Sequence, residues 1–580
     1  MKTPILGSSY VARSINAADN RLVNLFPEAI PDGGKEAGFL NRAPGLQFLQ
    51  TVGTGPIRGL WAHQTNGSDF YVVSGSQVFR LAATNGTPEL IGTVSGTGPV
   101  SIADNGAVIF FACNGPSYTY FEPTGAFDQI TDVNFPGAVT VAYIDNLFVF
   151  NEPNSQRIWS VDTILLDPPN PPEYIYPLVF SSTDFSSADG SPDGVVAINV
   201  DHRQMWVFGT DSVEVWYNAG LANFPLTPVQ GAFNEIGCVA AFSIAKLDNA
   251  LFWLGTDARG QGIVYKNNGY SGVRVSTHAI EYAIAQYGNI SDAVAYTYQQ
   301  EGHAFYVLNF PSASKTWVYD VSVQAWHERA SGDENQYRHR SNCQCNFGGT
   351  IIVGDFENGN IYSFDLDVYA DNGQVQKWLR SWRALPTGQN NLKRTAHHSL
   401  QLDAETGVGL NGVDPSAPLA NLLAESYFTP LLLAESYDTP ILVTETGDAI
   451  DTESSVELLA TLLGATDDML TESSEDILAT LLGATDDLLT ESGEDILVSV
   501  ATTQGANPQA MLRWSDDGGH TWSNEHWRSM GAIGQYGYRT IWRRLGMTEK
   551  LRDRVYEVSG TDPVKIAIMG AELFITPTNA

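Results

Sequence analysis

One octapeptide in this 580-residue sequence has the residue types and spacing to organise a turn around a charged side chain. It is Ser515-Asp516-Asp517-Gly518-Gly519-His520-Thr521-Trp522, which fits the pattern S-x-D-x-G-x-T-W, the Asp box, at every defined position. The carboxylate of Asp517 is suited to accept turn amide hydrogens, Gly519 permits a tight or left-handed backbone, and Trp522 is expected to cover the turn on its core side. Two other pairs invite a metal reading, Cys343-x-Cys345 and His397-His398. A single Cys-x-Cys lacks the paired spacing of zinc ribbons, and adjacent histidines on a strand point to opposite faces, so core thiols and surface imidazoles are expected, with no metal. No phosphate-binding Gly-x-x-x-x-Gly-Lys-Ser/Thr loop and no His-Glu-x-x-His occurs, nor Gly-x-Ser-x-Gly between a strand and a helix. Neither a catalytic residue nor a cofactor is expected.

A second group is basic. Arg528, Arg539, Arg543, Arg544, Arg552 and Arg554, with Lys550, face only Glu549 and Asp553 in their window, and Trp522, Trp527 and Trp542 punctuate the same stretch. Arginine and tryptophan together mark protein interfaces, so contact between subunits or pairing within the chain is expected here ahead of a nucleic-acid patch.

The whole chain argues against gripping nucleic acid. Its 65 acidic residues against 31 basic ones give a formal charge of −34, which repels phosphate backbones. The excess is concentrated: no Lys or Arg lies between Arg394 and Arg513, where 21 Asp and Glu fall. Four cysteines are too few to staple a chain this long, which points to folding in a reducing compartment. No secretory apolar block and no long uninterrupted apolar window is found, so a soluble protein without a membrane anchor is expected.

The elements that would position these residues read as strands. From residue 55 to 370 a short aromatic or β-branched run, a Gly/Asn/Ser/Asp turn and a second such run recur, beginning near Phe70, Val108, Leu147, Met205, Leu251, Ala304 and Ile351. Starts spaced roughly 40 to 60 residues apart match four-stranded blades set radially. The expected fold is therefore all-β: a six- or seven-bladed β-propeller over 55–370, with a large β-sandwich or two stacked sheets as the rival. A short helix is expected near Ile280–Gln286. Residues 1–54, punctuated by Pro and Gly, are read as a segment that wraps the propeller or docks a neighbour. The Pro-rich stretch 167–172 is read as a rigid surface loop. A C-terminal, sandwich-like β domain follows, built from 371–412 and 504–580 and carrying the Asp-box hairpin. In it Ala396–Leu410 reads as an alternating strand whose expected partner is Gln509–Ser515.

Between those parts lies an insertion, 413–503, that nearly copies itself: SVELLATLLGATDDMLTES from Ser455 is followed by SEDILATLLGATDDLLTES from Ser474. Such short units cannot bury their own Leu/Ile pairs and must stack. Short strands with acidic turns are favoured over a helix sharing Leu458, Leu459, Leu462 and Leu463, and solvated negative turns over calcium sites.

The run from Met511 to Leu573, with GFLNRAPGL near the start and Ser191–Gly220, resembles the tail-hub or nozzle proteins of short-tailed bacteriophages, also called packaged-DNA stabilisation proteins. The resemblance spans the chain apart from 413–503. It implies a structural virion protein assembled in the host cytoplasm, a ring of six copies forming the lower tail tube beneath the portal and its adaptor. It further implies tail fibres or tailspikes held outside and packaged double-stranded DNA passing within, without sequence-specific contacts. An acidic lining suits such a conduit, because a basic one would hold DNA at every phosphate. The competing expectation starts from the Asp box, common in sialidases, and makes the protein a sialidase-like glycoside hydrolase or a carbohydrate-binding propeller. Against it, the box is a structural turn in those enzymes, and no arginine triad for an acidic sugar can be nominated.

Overall fold

The computed structural model describes residues 1–406 and 508–578, apart from 16, 32–33, 35, 64–68, 166–172, 333–334, 336, 386–393, 532–534, 536 and 549–553. Within 407–507 it describes the five short strands Asn421–Ala424, Leu433–Glu435, Ile441–Val443, Leu488–Leu489 and Asp495–Ser499, which pair antiparallel among themselves. The Pro-rich loop and the Leu458–Leu463 stretch fall outside the described residues.

Each hairpin marked in the sequence supplies the second and third strands of one blade, giving seven blades among the described residues. They span 57–93, 101–129, 141–187, 195–234, 237–274, 294–331 and, for blade 7, 341–365 completed by Gly45–Thr51. The second strands are apolar on both faces because each blade is covered on both: every residue of Val108–Ala112 is buried. A separate apolar cluster fills each gap between neighbours. Between blades 2 and 3, for example, Phe110 meets Phe148 and Phe150 with centroids 5.6 and 5.9 Å apart. The ring closes where Ile57 of blade 1 joins Cys345, Ile352 and Ile361 of blade 7, while Asn342 donates to the Ile57 carbonyl at 3.1 Å. The helix is His278–Ala285, capped by the Thr277 hydroxyl, which accepts from the Ile280 amide.

Residues 1–54, in which few strand signals are legible, pair Tyr10–Val11 with Asp19–Asn20 and contribute strands to three larger sheets. Gly45–Thr51 is the outer strand of blade 7, with Leu46 opposite Phe364. Leu25–Ala29 and Gly38–Arg42 form one end of a five-stranded sheet completed by Ile566–Pro577, Thr395–Thr406 and Thr540–Met547, in that order. Leu22–Val23 lies between Ala325–Ser331, the outer strand of blade 6, and Trp378–Arg383. Through it the blade 6 sheet runs without interruption into Trp378–Arg383, Val555–Gly560, Gln509–Ser515 and His526–Ser529. That sheet and the five-stranded one enclose a core containing Leu40, Trp378, Trp382, Leu400, Leu512, Trp542, Tyr556 and Leu573, so the C-terminal domain is a β-sandwich.

The expected pairing of Ala396–Leu410 with Gln509–Ser515 is not what the fold adopts. Thr395–Thr406 lies between Ile566–Pro577 and Thr540–Met547, whereas Gln509–Ser515 sits in the other sheet beside Val555–Gly560. Alternation shows which face a strand buries but not which strand it pairs with, and Ile566–Pro577 matches the full 12-residue length of Thr395–Thr406.

Buried polar side chains fix the N-terminal segment. Asn24, at φ 52°, donates to the Ala330 and Lys377 carbonyls at 2.9 and 2.8 Å and accepts from the Ala330 amide at 3.1 Å. Asparagine tolerates this left-handed position at low cost. Arg21 reaches both Glu328 oxygens, at 3.3 and 3.0 Å. Arg42, whose pKa burial pushes down to about 10, donates to the carbonyls of Asp562, Val564, Tyr369 and Gln376.

Candidate functional site

The Asp box joins strand Gln509–Ser515 to strand His526–Ser529 at the end of the sandwich. Its chemistry is local. The Ser515 hydroxyl donates to Asp517 Oδ1 at 2.6 Å and accepts from the Gly519 amide at 2.7 Å. The amides of His520 and Thr521 donate to Asp517 Oδ1 at 2.9 and 2.8 Å, and the Thr521 hydroxyl to Oδ2 at 2.7 Å. Desolvation opposes ionisation of Asp517, but these donors, led by Ser515, outweigh it and hold the carboxyl well below its ordinary range. Gly518 and Gly519 have φ of 78° and 102°, where a side chain would be strained. Trp522 is half-buried and lies beneath the Arg513 guanidinium, 4.9 Å from its ring centroid. With both oxygens of Asp517 engaged by the turn, the box holds a hairpin and leaves this carboxylate no role in proton transfer. Asp517→Ala is expected to loosen residues 515–523, at about 1–2 kcal/mol for the lost bonds, read as faster amide exchange confined to the hairpin.

The six arginines of the basic stretch separate. Arg554, a candidate for contact between subunits or for pairing within the chain, is buried and paired within the chain. It grips both Asp516 oxygens at 2.8 Å, donates to the Leu545 and Met547 carbonyls, and packs on Trp514 at 5.2 Å. A charge count cannot reveal burial, and here Arg554 ties the Asp box to the edge of the opposite sheet. Arg528, Arg539, Arg543 and Arg544 are exposed, and Arg552 lies outside the described residues. The histidine pair also divides. His398 is exposed, while His397 is buried against the Tyr556 hydroxyl at 2.7 Å and pushed down to about 3, chiefly by burial, so it is not the surface imidazole expected. Cys345 is buried and Cys343 half-buried, both as free thiols.

Asp19 is a buried carboxyl beside the Asp box that no sequence motif marks. It is buried where the N-terminal segment meets the Asp box, and a Cβ on Gly519 would stand 2.4 Å from its Oδ2. Burial raises its pKa to about 6, with Arg21 acting in the opposite direction. Because the folded value exceeds the unfolded one, the folded chain binds the proton more tightly. The contribution of Asp19 to stability therefore falls as pH rises from about 4 to about 6 and is level above that. Asp19→Asn should stabilise the protein at pH 7 by up to about 3 kcal/mol and flatten that slope, read from melting midpoints across pH. An unchanged slope would remove Asp19 as its source.

A seven-bladed propeller continuous with a β-sandwich that carries an Asp-box turn defines a β-propeller–β-sandwich protein. The chain belongs to the bacteriophage P22 Gp10 family: the model described as "Bacteriophage P22 Gp10, beta-propeller" matches residues 1–369, and "Bacteriophage P22 Gp10, beta-sandwich" matches 487–576. It is thus a structural protein of a phage tail, and so of the virion. A comparison with curated proteins gave no match. Among solved structures, the chain is similar to one from a crystal structure of the mitotic checkpoint complex, at 11% identity and TM-score 0.34, over 56% of this chain and 93% of that one. It is also similar to the computationally designed Ika8 protein, at 13% and 0.32 over 60% and 99%, and to YCF48 from Cyanidioschyzon merolae, at 11% and 0.34 over 55% and 98%.

Proposed function

We propose that this protein is a tail hub or nozzle subunit: a ring, of six copies, that forms the lower tail tube, joins the portal and adaptor to fibres or tailspikes, and conducts and retains packaged DNA. The observation that carries this reading is the match of both family models, which together take in the propeller and the sandwich. Composition supports the conduit: a chain of charge −34 presents a surface along which a phosphate backbone slides without being held. The occupied Asp517 carboxylate supports a scaffold rather than a glycosidase. In this reading the protein transforms no substrate, and its partners are other tail proteins and further copies of itself.

The test is mass measurement on the purified protein, alone and mixed with its adaptor ring, beside an image of the particle with this protein labelled. Ring-sized assemblies and label at the distal tail are expected. A protein that stays monomeric with the adaptor present, or that releases sugar from host surface glycans, would overturn the reading.

A further inference from the structure

Among the described residues the sandwich ends in two unpaired edges along one flank. Thr540–Met547 is the last strand of the five-stranded sheet and His526–Ser529 the last of the facing sheet. Hydrogen bonds join these edges: Trp542 Nε1 donates to the His526 carbonyl at 2.7 Å, and the Thr540 hydroxyl to the Ser529 carbonyl at 3.2 Å. Beyond them no further strand pairs among the described residues. An uncovered edge is a template for another chain, and proteins blunt or use it.

Arg528, Arg539, Arg543 and Arg544 are exposed here, and none forms an ion pair among the described residues, in a chain where acids outnumber bases 65 to 31. By contrast Arg21, Arg513 and Arg554 each hold a carboxylate within the chain. Beside these four arginines stand Trp527, Met547 and Phe574, exposed at 48%, 49% and 64%. Ser399 is the register partner of both Arg543 and Phe574, which places the charge and the ring on one row of the sheet.

The backbone adds an independent point. Between the pairs His397–Gly546 and Ser399–Arg543 the edge strand carries one residue more than its neighbour, and Arg544, within this bulge, has φ 60°. Glycine is the residue such a position favours, and an arginine there is strained. Bulges at a sheet edge re-aim side chains, and this one turns two adjacent arginines outward.

We infer that this open flank is the surface by which a second copy of the chain docks, its carboxylates meeting Arg543 and Arg544 while Met547 and Phe574 are covered. The inference rests on the ring reading above and names the face that builds the ring. Charge complementarity selects the occupant: a copy of a protein with net charge −34 offers carboxylates, whereas the same charge repels DNA from the whole molecule. Arginine with exposed Trp, Phe and Met is the composition of a protein interface. Basic flank against acidic surface is a contact between different faces, and contacts of that type propagate until a ring closes.

The experiment compares the full-length chain with Arg543→Glu/Arg544→Glu and with Arg544→Gly by mass photometry at low and high salt, with melting midpoints as the control for folding. Reversal of both charges should weaken self-association by about tenfold or more and remove its salt dependence, with the midpoint unchanged. Arg544→Gly should weaken association while holding or raising the midpoint, because it relieves the backbone as it removes the charge. If the doubly reversed chain assembles as the parent does, the flank is not the contact, although the ring reading stands. A parent chain that never self-associates, with or without the adaptor, overturns both. Loss of double-stranded DNA binding with assembly intact would assign the flank to nucleic acid and overturn the inference.

Discussion

Removing residues 1–51 is expected to abolish folding of both domains. The segment looks dispensable in a linear map, since it precedes every hairpin of the propeller. In space it supplies Gly45–Thr51 to blade 7, two strands to one sheet of the sandwich and Leu22–Val23 to the other. Without it blade 7 keeps three strands, Tyr362 and Phe364 lose Leu46, and Asn24 and Arg42 no longer satisfy the carbonyls they hold. Each abandoned buried acceptor costs roughly 1–3 kcal/mol, so the sum exceeds the margin by which a domain is folded. The measurement is near-ultraviolet circular dichroism and amide exchange on the truncated chain. A soluble product with protected strands in all seven blades would refute it.

Trp382→Ala should cost about 4 kcal/mol, the usual loss for truncating a buried aromatic. Trp382 is fully buried in the sandwich core, and its indole donates to the Thr3 hydroxyl at 2.9 Å. Its strand, Trp378–Arg383, also pairs with Leu22–Val23, which in turn pairs with blade 6. The destabilisation should therefore appear as faster exchange in Ala325–Ser331 of the propeller as well as in the sandwich. An effect confined to the sandwich would mean that the shared sheet does not couple them.

The propeller was legible because its signals are local. The hairpins marked at Phe70, Val108, Leu147, Met205, Leu251, Ala304 and Ile351 all supply second strands, since the turn residues and their flanking β-formers lie within about a dozen positions of each other. The Asp box was legible for the same reason, every donor and acceptor falling within eight residues. What escaped is non-local. Leu46 meets Phe364, and Thr395–Thr406 meets Ile566–Pro577, at separations over which a period of two carries no information about the partner. Charge counting fails in a related way. Arg543 and Arg554 look alike in sequence, yet one faces solvent and the other is sealed against Asp516.

The shared sheet has a mechanical consequence. Most neighbouring domains are joined by a tether and swing about it. Here Leu22–Val23 is clamped on both sides, so a bend between blade 6 and the sandwich must shear two hydrogen-bonded ladders at once. The connection is short, one register pair toward blade 6 and two toward Trp378–Arg383, so its stiffness comes from the flanking strands that hold Leu22–Val23 in place.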